Sequence, residues 1–295
     1  MEKILFIVNP IAGGRDKKAI LEKVTGSLDH DRFSQEIRYT EYAGHACEIA
    51  RETDADIVVA IGGDGTQNEV ARSLAGSGKK MGIIPCGSGD GLALHLGISR
   101  NPEKAARVIA RGRTALIDHG TVNGRPFFCT TGVGIDASVS WRFAQAHTRG
   151  LKTYVKESIL TWFGFRPDNY IISVDGVEKW NGPAAIVTVG NANQWGNNAR
   201  ITSLASVTDG QLDITVVEPF HTWAFPGLLF RLMSGTAHRS CHTTCLKGKE
   251  IRIVRGCTGP IHFDGDPYEE GKEIEIKVIP QGLRVIIPEG MEGKI

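Results

Sequence analysis

Two stretches carry residues whose types and spacing could do chemistry. Between Ile57 and Asn68 the chain reads IVVAIGGDGTQN, and between Ile83 and Ala93 it reads IIPCGSGDGLA. In each, a short apolar and β-branched run stops at a cluster of glycines and leads into a segment able to open a helix. Glycines in such a loop let the backbone approach a phosphate without a Cβ in the way, and turn several N–H groups toward one point. A tight turn alone would explain one isolated Gly-Gly pair. Two such loops in succession, at the carboxyl ends of parallel strands, fall on the edge where open α/β sheets bind ligands. The run Gly87-Ser88-Gly89-Asp90-Gly91-Leu92 lacks the last glycine of GxGxxG, and GxxxxGK[ST] does not occur. A dinucleotide fingerprint and a Walker loop are therefore both disfavoured.

The elements that must position these loops alternate regularly. Strands are expected at Ile4–Val8, Phe33–Tyr39, Ile57–Ile61 and Met81–Ile84. Helices are expected from Asp16, an N-cap, to about Leu28, then over Ala46–Arg51, Asn68–Leu74, Leu92–Leu96 and Pro102–Arg111. Strand and helix alternating at this spacing imply a doubly wound parallel α/β sheet. From about Thr114 the pattern becomes a series of short strands, with turn residues at Asn123-Gly124 and at Asp175-Gly176, and reads as an antiparallel β-sandwich. At 295 residues two domains are expected. The boundaries read as 1–122 for the nucleotide-binding α/β domain, 123–280 for the β-sandwich, and 281–295 for a return to the first domain through a strand at Leu283–Ile287.

The residues at this point carry a family resemblance. Gly62-Gly63-Asp64-Gly65-Thr66-Gln67-Asn68-Glu69-Val70 resembles the GGDGTxNEV signature of the diacylglycerol kinase and sphingosine kinase superfamily, related in its first domain to NAD kinases and 6-phosphofructokinases. Further ordered matches run from Asn9-Pro10-Ile11-Ala12-Gly13-Gly14 through Thr40, Gly44-His45-Ala46, the Gly-Ser-Gly loop and Thr208-Asp209-Gly210-Gln211-Leu212-Asp213 to Phe263-Asp264-Gly265-Asp266. The resemblance implies an ATP-dependent, Mg²⁺-requiring lipid kinase that acts on a hydroxyl of a membrane lipid: diacylglycerol, a sphingoid base or ceramide. A kinase of a soluble substrate such as NAD, or a catalytically inactive nucleotide- or lipid-binding regulator, are the alternatives.

Phosphoryl transfer to an alcohol needs charge neutralisation, in-line positioning and a carboxylate to accept the hydroxyl proton. The resemblance implies a role for each candidate. Asn9, Gly13, Gly14, Thr40, Gly62, Gly63, Asp64, Gly65, Thr66, Asn68, Gly87, Ser88 and Gly89 would surround the nucleotide, and Asp264 would be the general base. Asp64 reads as a magnesium ligand, since like charge excludes direct phosphate binding and magnesium takes one or two carboxylates plus phosphate oxygens. Asp264 also reads as a turn-former. Asp209, with carbonyls of Ser206 and Gln211, resembles a structural magnesium site of bacterial members; a type I turn explains it equally. Asp266 stands where the family motif has glutamate, and Asp90 where related proteins have asparagine. An extra charge beside a phosphate loop needs a Lys, an Arg or a cation to answer it.

Bulk composition narrows the class further. Lys and Arg total 34 against 33 Asp and Glu, so bulk charge does not point to nucleic acid. The first apolar run, Ile4–Val8, is too short for a signal peptide or a membrane span, and a cytoplasmic protein with reduced thiols is expected. His238, Cys241, His242 and Cys245 have ligand-like spacing in a segment that alternates like a strand, and zinc is disfavoured there. Trp141–Phe165 interleaves Arg142, Arg149, Lys152 and Lys156 with aromatics. It suits either peripheral contact with an anionic membrane surface or an amphipathic helical pair. Trp223–Met233 is equally apolar and suits core packing or lipid entry. A homodimer is compatible with this reading.

Overall fold

The structure, a computed structural model, describes residues 1–146 and 151–295. Arg149 and the side chains of Lys152 and Tyr154, part of the expected membrane segment, lie outside the described residues. The chain divides into one unit of 1–117 with 281–295 and a second of 118–280.

In the first unit the elements follow one another as β1 (Glu2–Val8), α1 (Lys17–Thr25), β2 (Phe33–Tyr39), α2 (His45–Glu52), β3 (Ile57–Gly62), α3 (Asp64–Leu74), β4 (Lys80–Pro85), α4 (Gly91–His95) and α5 (Pro102–Arg111). The sheet order β2-β1-β3-β4 is parallel throughout. Ile4–Val8 and Ile57–Ile61 are buried at every position, the continuous apolar run that a parallel strand covered on both faces requires. Each such side chain contributes about 1.5–3 kcal/mol on burial, so the strands anchor the loops that leave them. Asp16 caps α1 by accepting from the Lys18 and Ala19 amides. Asn101 caps α5 through the Lys104 amide, with Pro102 in the first turn. Helix α3 starts at Asp64, not Asn68. Gly63 ends the strand in extended backbone and its carbonyl already accepts from the Gln67 amide at 3.0 Å, so the GDGT residues are a first helical turn rather than a free loop.

The second unit continues with β5 (Arg113–Val122), which enters from the first, β6 (Arg125–Phe127), β7 (Thr130–Gly134), α6 (Ile135–Gln145), α7 (Leu151–Gly164), β8 (Asp168–Val174), β9 (Val177–Ala184), β10 (Ile186–Gly190) and β11 (Leu212–Val217). After α8 (Phe225–Ser234) come β12 (Thr243–Gly248), β13 (Glu250–Arg255), β14 (Gly259–Phe263), β15 (Asp266–Glu270) and β16 (Glu273–Ile287). One antiparallel sheet runs β12-β11-β10-β7-β14-β15. Facing it, the first part of β16 pairs with β13, β13 with β8 and β8 with β9. Val187, Ile214 and Phe263 of one sheet share a core with Ile172, Ile253 and Ile274 of the other, which makes the unit a β-sandwich. Asn123-Gly124, Asp175-Gly176 and Asp264-Gly265 all have positive φ at both residues, and each joins the ends of a hairpin as a type I′ turn does.

One expectation is revised and two segments take a definite form. The strands expected at Glu273–Val278 and Leu283–Ile287 are one strand, β16, whose end pairs with β4 in the first unit. Trp223–Met233 divides: Leu228 and Leu232 enter a core with Ile135, Val139 and Val217, while Trp223 and Phe230 are exposed. In the Trp141–Phe165 segment, Arg142 pairs with Glu157 at 3.3 Å and Trp162 packs on Phe220 and Phe225, while Trp141 is exposed.

Candidate active site

Strand β1 lies between β2 and β3, so the chain reverses its winding direction between β1 and β3. The carboxyl ends of these two strands carry Asn9–Gly14 and Gly62–Thr66, which puts both loops at the switch point where open α/β sheets bind ligands. Thr40 follows β2 next to them, its amide bonded to the Val8 carbonyl at 2.9 Å. Asn9 ties the pair together: its Nδ2 donates to Thr66 Oγ1 at 3.1 Å, and its Oδ1 accepts from the Ile11 amide at 3.1 Å. The N-terminus of α3 has no side-chain cap, and a helix start presents backbone amides and a positive dipole end to an anion.

The glycines are required first by the approach of one loop to another. A Cβ at Gly13, where φ is +62°, would lie 1.7 Å from the Cys86 carbonyl oxygen; one at Gly87 would lie 2.7 Å from Gly63 Cα. Gly89 presses on Asp64 in the same way, at 2.5 Å from Oδ2. Asp64 itself is the bolt between the loops. Its Oδ2 accepts from the Asp90 amide at 2.8 Å and its Oδ1 from the Gly91 amide at 2.7 Å. These two bonds give Asp64 a structural role at the start of α4, beside the magnesium role, direct or through water, that its position in the signature suggests. Asn68 is buried one turn further along α3.

Asp90 is fully buried, and the charge it adds is answered. Its Oδ2 faces Arg100 Nε at 3.2 Å, and its Oδ1 accepts from the Gly87 amide at 3.0 Å and from Gln67 Nε2 at 3.2 Å. Arg100 also donates to the carbonyls of Ser88 and Gly89 at 2.9 and 2.8 Å, so one guanidinium holds the Gly-Ser-Gly loop from behind. Burial still raises the Asp90 carboxyl above the usual carboxylate range, against the opposing Gly87 amide and Arg100. Glu69, inside the signature, accepts from the Gly44 and Ala46 amides at 2.9 and 3.1 Å and caps α2.

In the second unit Asp264 opens the β14–β15 turn with φ 51°. Its carboxylate is clamped by three consecutive amides: Oδ2 accepts from Phe128 at 2.9 Å, Oδ1 from Cys129 at 2.7 Å and Thr130 at 3.0 Å. A carboxylate has roughly four lone-pair positions, so this grip fixes its orientation. These bonds run to a distant segment rather than to the backbone two residues on, and they preorganise the side chain for any chemistry it does. Behind it, buried Asp136 accepts from Thr188 Oγ1 at 2.7 Å and faces His262 Nε2 at 3.2 Å. His119 lies against Phe128, ring centroids 5.1 Å apart. Its imidazole is held below the ordinary histidine range, mainly by burial. Asp266 is exposed at the start of β15.

Asp209 has a lysine beside it. Lys247 Nζ stands 2.6 Å from Asp209 Oδ2 and 3.1 Å from Asp213 Oδ2, the second a charge contact without hydrogen-bond alignment. The cation between these carboxylates is a tethered ammonium. Asp209 Oδ1 accepts from the Gln211 amide at 3.0 Å, a local turn bond, and Ser206 Oγ lies 3.3 Å from Thr208 Oγ1. Among the described residues no group of three or more His, Cys, Asp or Glu comes together as a metal site.

Sequence reasoning missed Arg100, Glu69 and Lys247. Arg100 is ten residues beyond Asp90, outside either motif, and Lys247 meets Asp213 only through the β11–β12 register. The need for a cation near Asp90 was the one available signal.

Glycine-packed loops at the switch point of a parallel sheet, followed by an antiparallel sandwich with a clamped aspartate, define a two-domain architecture of α/β unit and β-sandwich. Residues 3–122 match the diacylglycerol kinase catalytic domain and residues 129–287 the YegS C-terminal NAD kinase beta sandwich-like domain. The chain belongs to the diacylglycerol kinase family. It is 27% identical to a "Probable lipid kinase YegS-like" of Pectobacterium atrosepticum, over 96% of this chain and 95% of that one. It is 28% identical to a diacylglycerol kinase of Mycobacterium tuberculosis, over 82% and 80%. A crystal structure of a diacylglycerol kinase from Bacillus anthracis superposes with TM-score 0.76 at 22% identity, covering 98% and 97% of the two chains. An NAD kinase from Archaeoglobus fulgidus in complex with ATP does so with TM-score 0.56 at 13%, covering 97% and 94%. The last two likenesses concern the fold.

Proposed function

We propose that this protein is an ATP-dependent lipid kinase that transfers the γ-phosphoryl group to a hydroxyl of a membrane lipid, with diacylglycerol the first candidate and sphingoid bases or ceramide next. The kinase family supplies the phosphotransferase class and the use of ATP. The observation that carries the nucleotide part is the uncapped start of α3 at the β1–β3 switch point, beside the glycine-packed loops. On this reading Asn9, Gly13, Gly14, Thr40, Gly62–Thr66 and Gly87–Gly89 take the nucleotide, and Asp264 accepts the proton of the attacking hydroxyl. Transfer then breaks the bond between the γ-phosphorus and the β–γ bridging oxygen, forms a phosphate monoester on the lipid and releases ADP. A magnesium ion, when bound, would neutralise charge on the transferring phosphoryl group, and Asp64, direct or through water, is the side chain placed among the phosphate loops that could face it.

The lipid acceptor is supported by the relatives' names and by the exposed apolar surface described below. No helix among the described residues is long and apolar enough to cross a membrane; a lipid acceptor would have the enzyme work in the cytoplasm, peripherally on the bilayer. The fold likeness to NAD kinases supports a second acceptor, NAD. Incubation with γ-labelled ATP and, in parallel, diacylglycerol, sphingosine, ceramide and NAD separates them. Label in an organic-phase phospholipid is expected. Label only in the nucleotide product transfers the assignment to NAD, and no label in any acceptor removes the kinase reading.

A further inference from the structure

Helix α8 is apolar on both sides. Leu228 and Leu232 face the core, against Ile135, Val139 and Val217. On the outer side Leu229, Phe230 and Met233 are 46%, 71% and 48% exposed, and Trp223, in the turn before the helix, is 80% exposed. A surface helix ordinarily turns polar residues outward, and the outer positions Pro226, Gly227, Leu229, Phe230, Met233 and Ser234 carry no charge. Large exposed apolar patches mark binding faces. Along the sequence the flanking charge is basic: between Glu218 and Glu250 there is no Asp or Glu, but there are Arg231, Arg239, Lys247 and Lys249. Arg200 adds to this beside the helix end, its Cδ 3.1 Å from where a Cβ on Gly235 would stand. Lys247 is held by Asp209 and Asp213, which leaves the arginines as the charges that matter.

We propose that α8 and the turn before it are the docking face for an anionic lipid bilayer, with Trp223 and Phe230 seated among the acyl chains and Arg200, Arg231 and Arg239 among the headgroups. This rests on the lipid-kinase reading and names the surface by which that enzyme meets its substrate phase. Tryptophan and phenylalanine on a helix lying in the interface plane, next to basic residues, give affinity that grows with buried apolar area and with anionic lipid. At ten residues the helix is far shorter than a span, so it lies on the bilayer.

The test is sedimentation with vesicles of phosphatidylcholine alone and with phosphatidylglycerol added, at low and high salt, beside turnover of a short-chain, monomeric diacylglycerol. Wild type is expected to pellet with the anionic vesicles and to be released by salt. Trp223→Ser with Phe230→Ser should lower the partition coefficient about tenfold or more, and Arg231→Gln with Arg239→Gln should weaken binding to anionic vesicles alone. Both variants should keep the wild-type melting temperature and short-chain turnover, since the substituted residues are outside the nucleotide loops and the Asp264 turn. Equal pelleting on both vesicles, or wild-type pelleting of the aromatic variant, overturns the proposal. So does a wild-type dimer that the aromatic variant converts to monomer, because the face would then be covered by a second copy. Turnover of the short-chain lipid without vesicle binding sinks the docking face and keeps the kinase, whereas binding without any lipid turnover keeps the face and sinks the kinase.

Discussion

Asp264 and Asp90 show how much a carboxylate's meaning depends on what surrounds it. Three backbone amides hold Asp264, so Asp264→Asn does two things. It removes the basic lone pair, for which kcat is expected to fall about 10²–10⁴-fold with ATP affinity retained. It also turns an amide group toward backbone donors, costing about 1–3 kcal/mol of stability. Turnover, nucleotide titration and thermal melts measured together separate the two. A folded variant with near-normal turnover would reject the base assignment and leave a turn residue. Asp90 is fully buried against Arg100. Arg100→Met should destabilise the protein by about 1–3 kcal/mol, because a buried charge loses its counter-charge. Asp90→Asn in the same chain should recover most of that loss, since asparagine can still accept from Gly87 and needs no cation. The double-mutant cycle, read from denaturant midpoints, would count against the pairing if the two effects simply add.

At the scale of elements, charge pairs stitch neighbouring strands and loops in ways that motif reading assigns elsewhere. The antiparallel register of β11 and β12 sets Lys247 opposite Asp213, and the ammonium also reaches Asp209. Burial holds the Asp213 carboxyl above its usual range, with Lys247 opposing that rise. Lys247→Met should therefore lower stability by about 1–3 kcal/mol, leaving buried Asp213 beside Asp209 without a positive partner. It should also create a demand for an external cation. Millimolar Mg²⁺ or Ca²⁺ is expected to raise the variant's melting temperature more than the wild type's, as ligand linkage requires. Equal shifts in both proteins would mean that the site takes no ion even when vacated.

For the molecule as a whole, acid stability carries a signature of the buried imidazole next to Phe128. Burial lowers the folded-state proton affinity of His119, while in the unfolded chain it titrates near its ordinary value of about 6.5. The unfolded state then binds the proton first as pH falls. The contribution is intact above about pH 6.5 and is lost below it until the folded form protonates too. His119→Phe should flatten the decline in unfolding free energy between pH 7.5 and 5.5 relative to wild type. An unchanged slope would place the acid sensitivity on other groups. The sequence by itself determined the parallel strands and their order of appearance, because Ile4–Val8 and Ile57–Ile61 are apolar at every position and only a doubly covered sheet buries such runs. It also determined the hairpins at Asn123-Gly124 and Asp175-Gly176, whose positive φ few other residue pairs tolerate. The signature glycines and Asp264 were legible as residues of a site, but their partners were not. That Gly87 meets Gly63, that Asp64 holds the amides of Asp90 and Gly91, and that Lys247 reaches both Asp209 and Asp213 were decided by the tertiary structure. These contacts join segments through loop approach and strand register, neither of which has a period or a composition that a linear reading can detect.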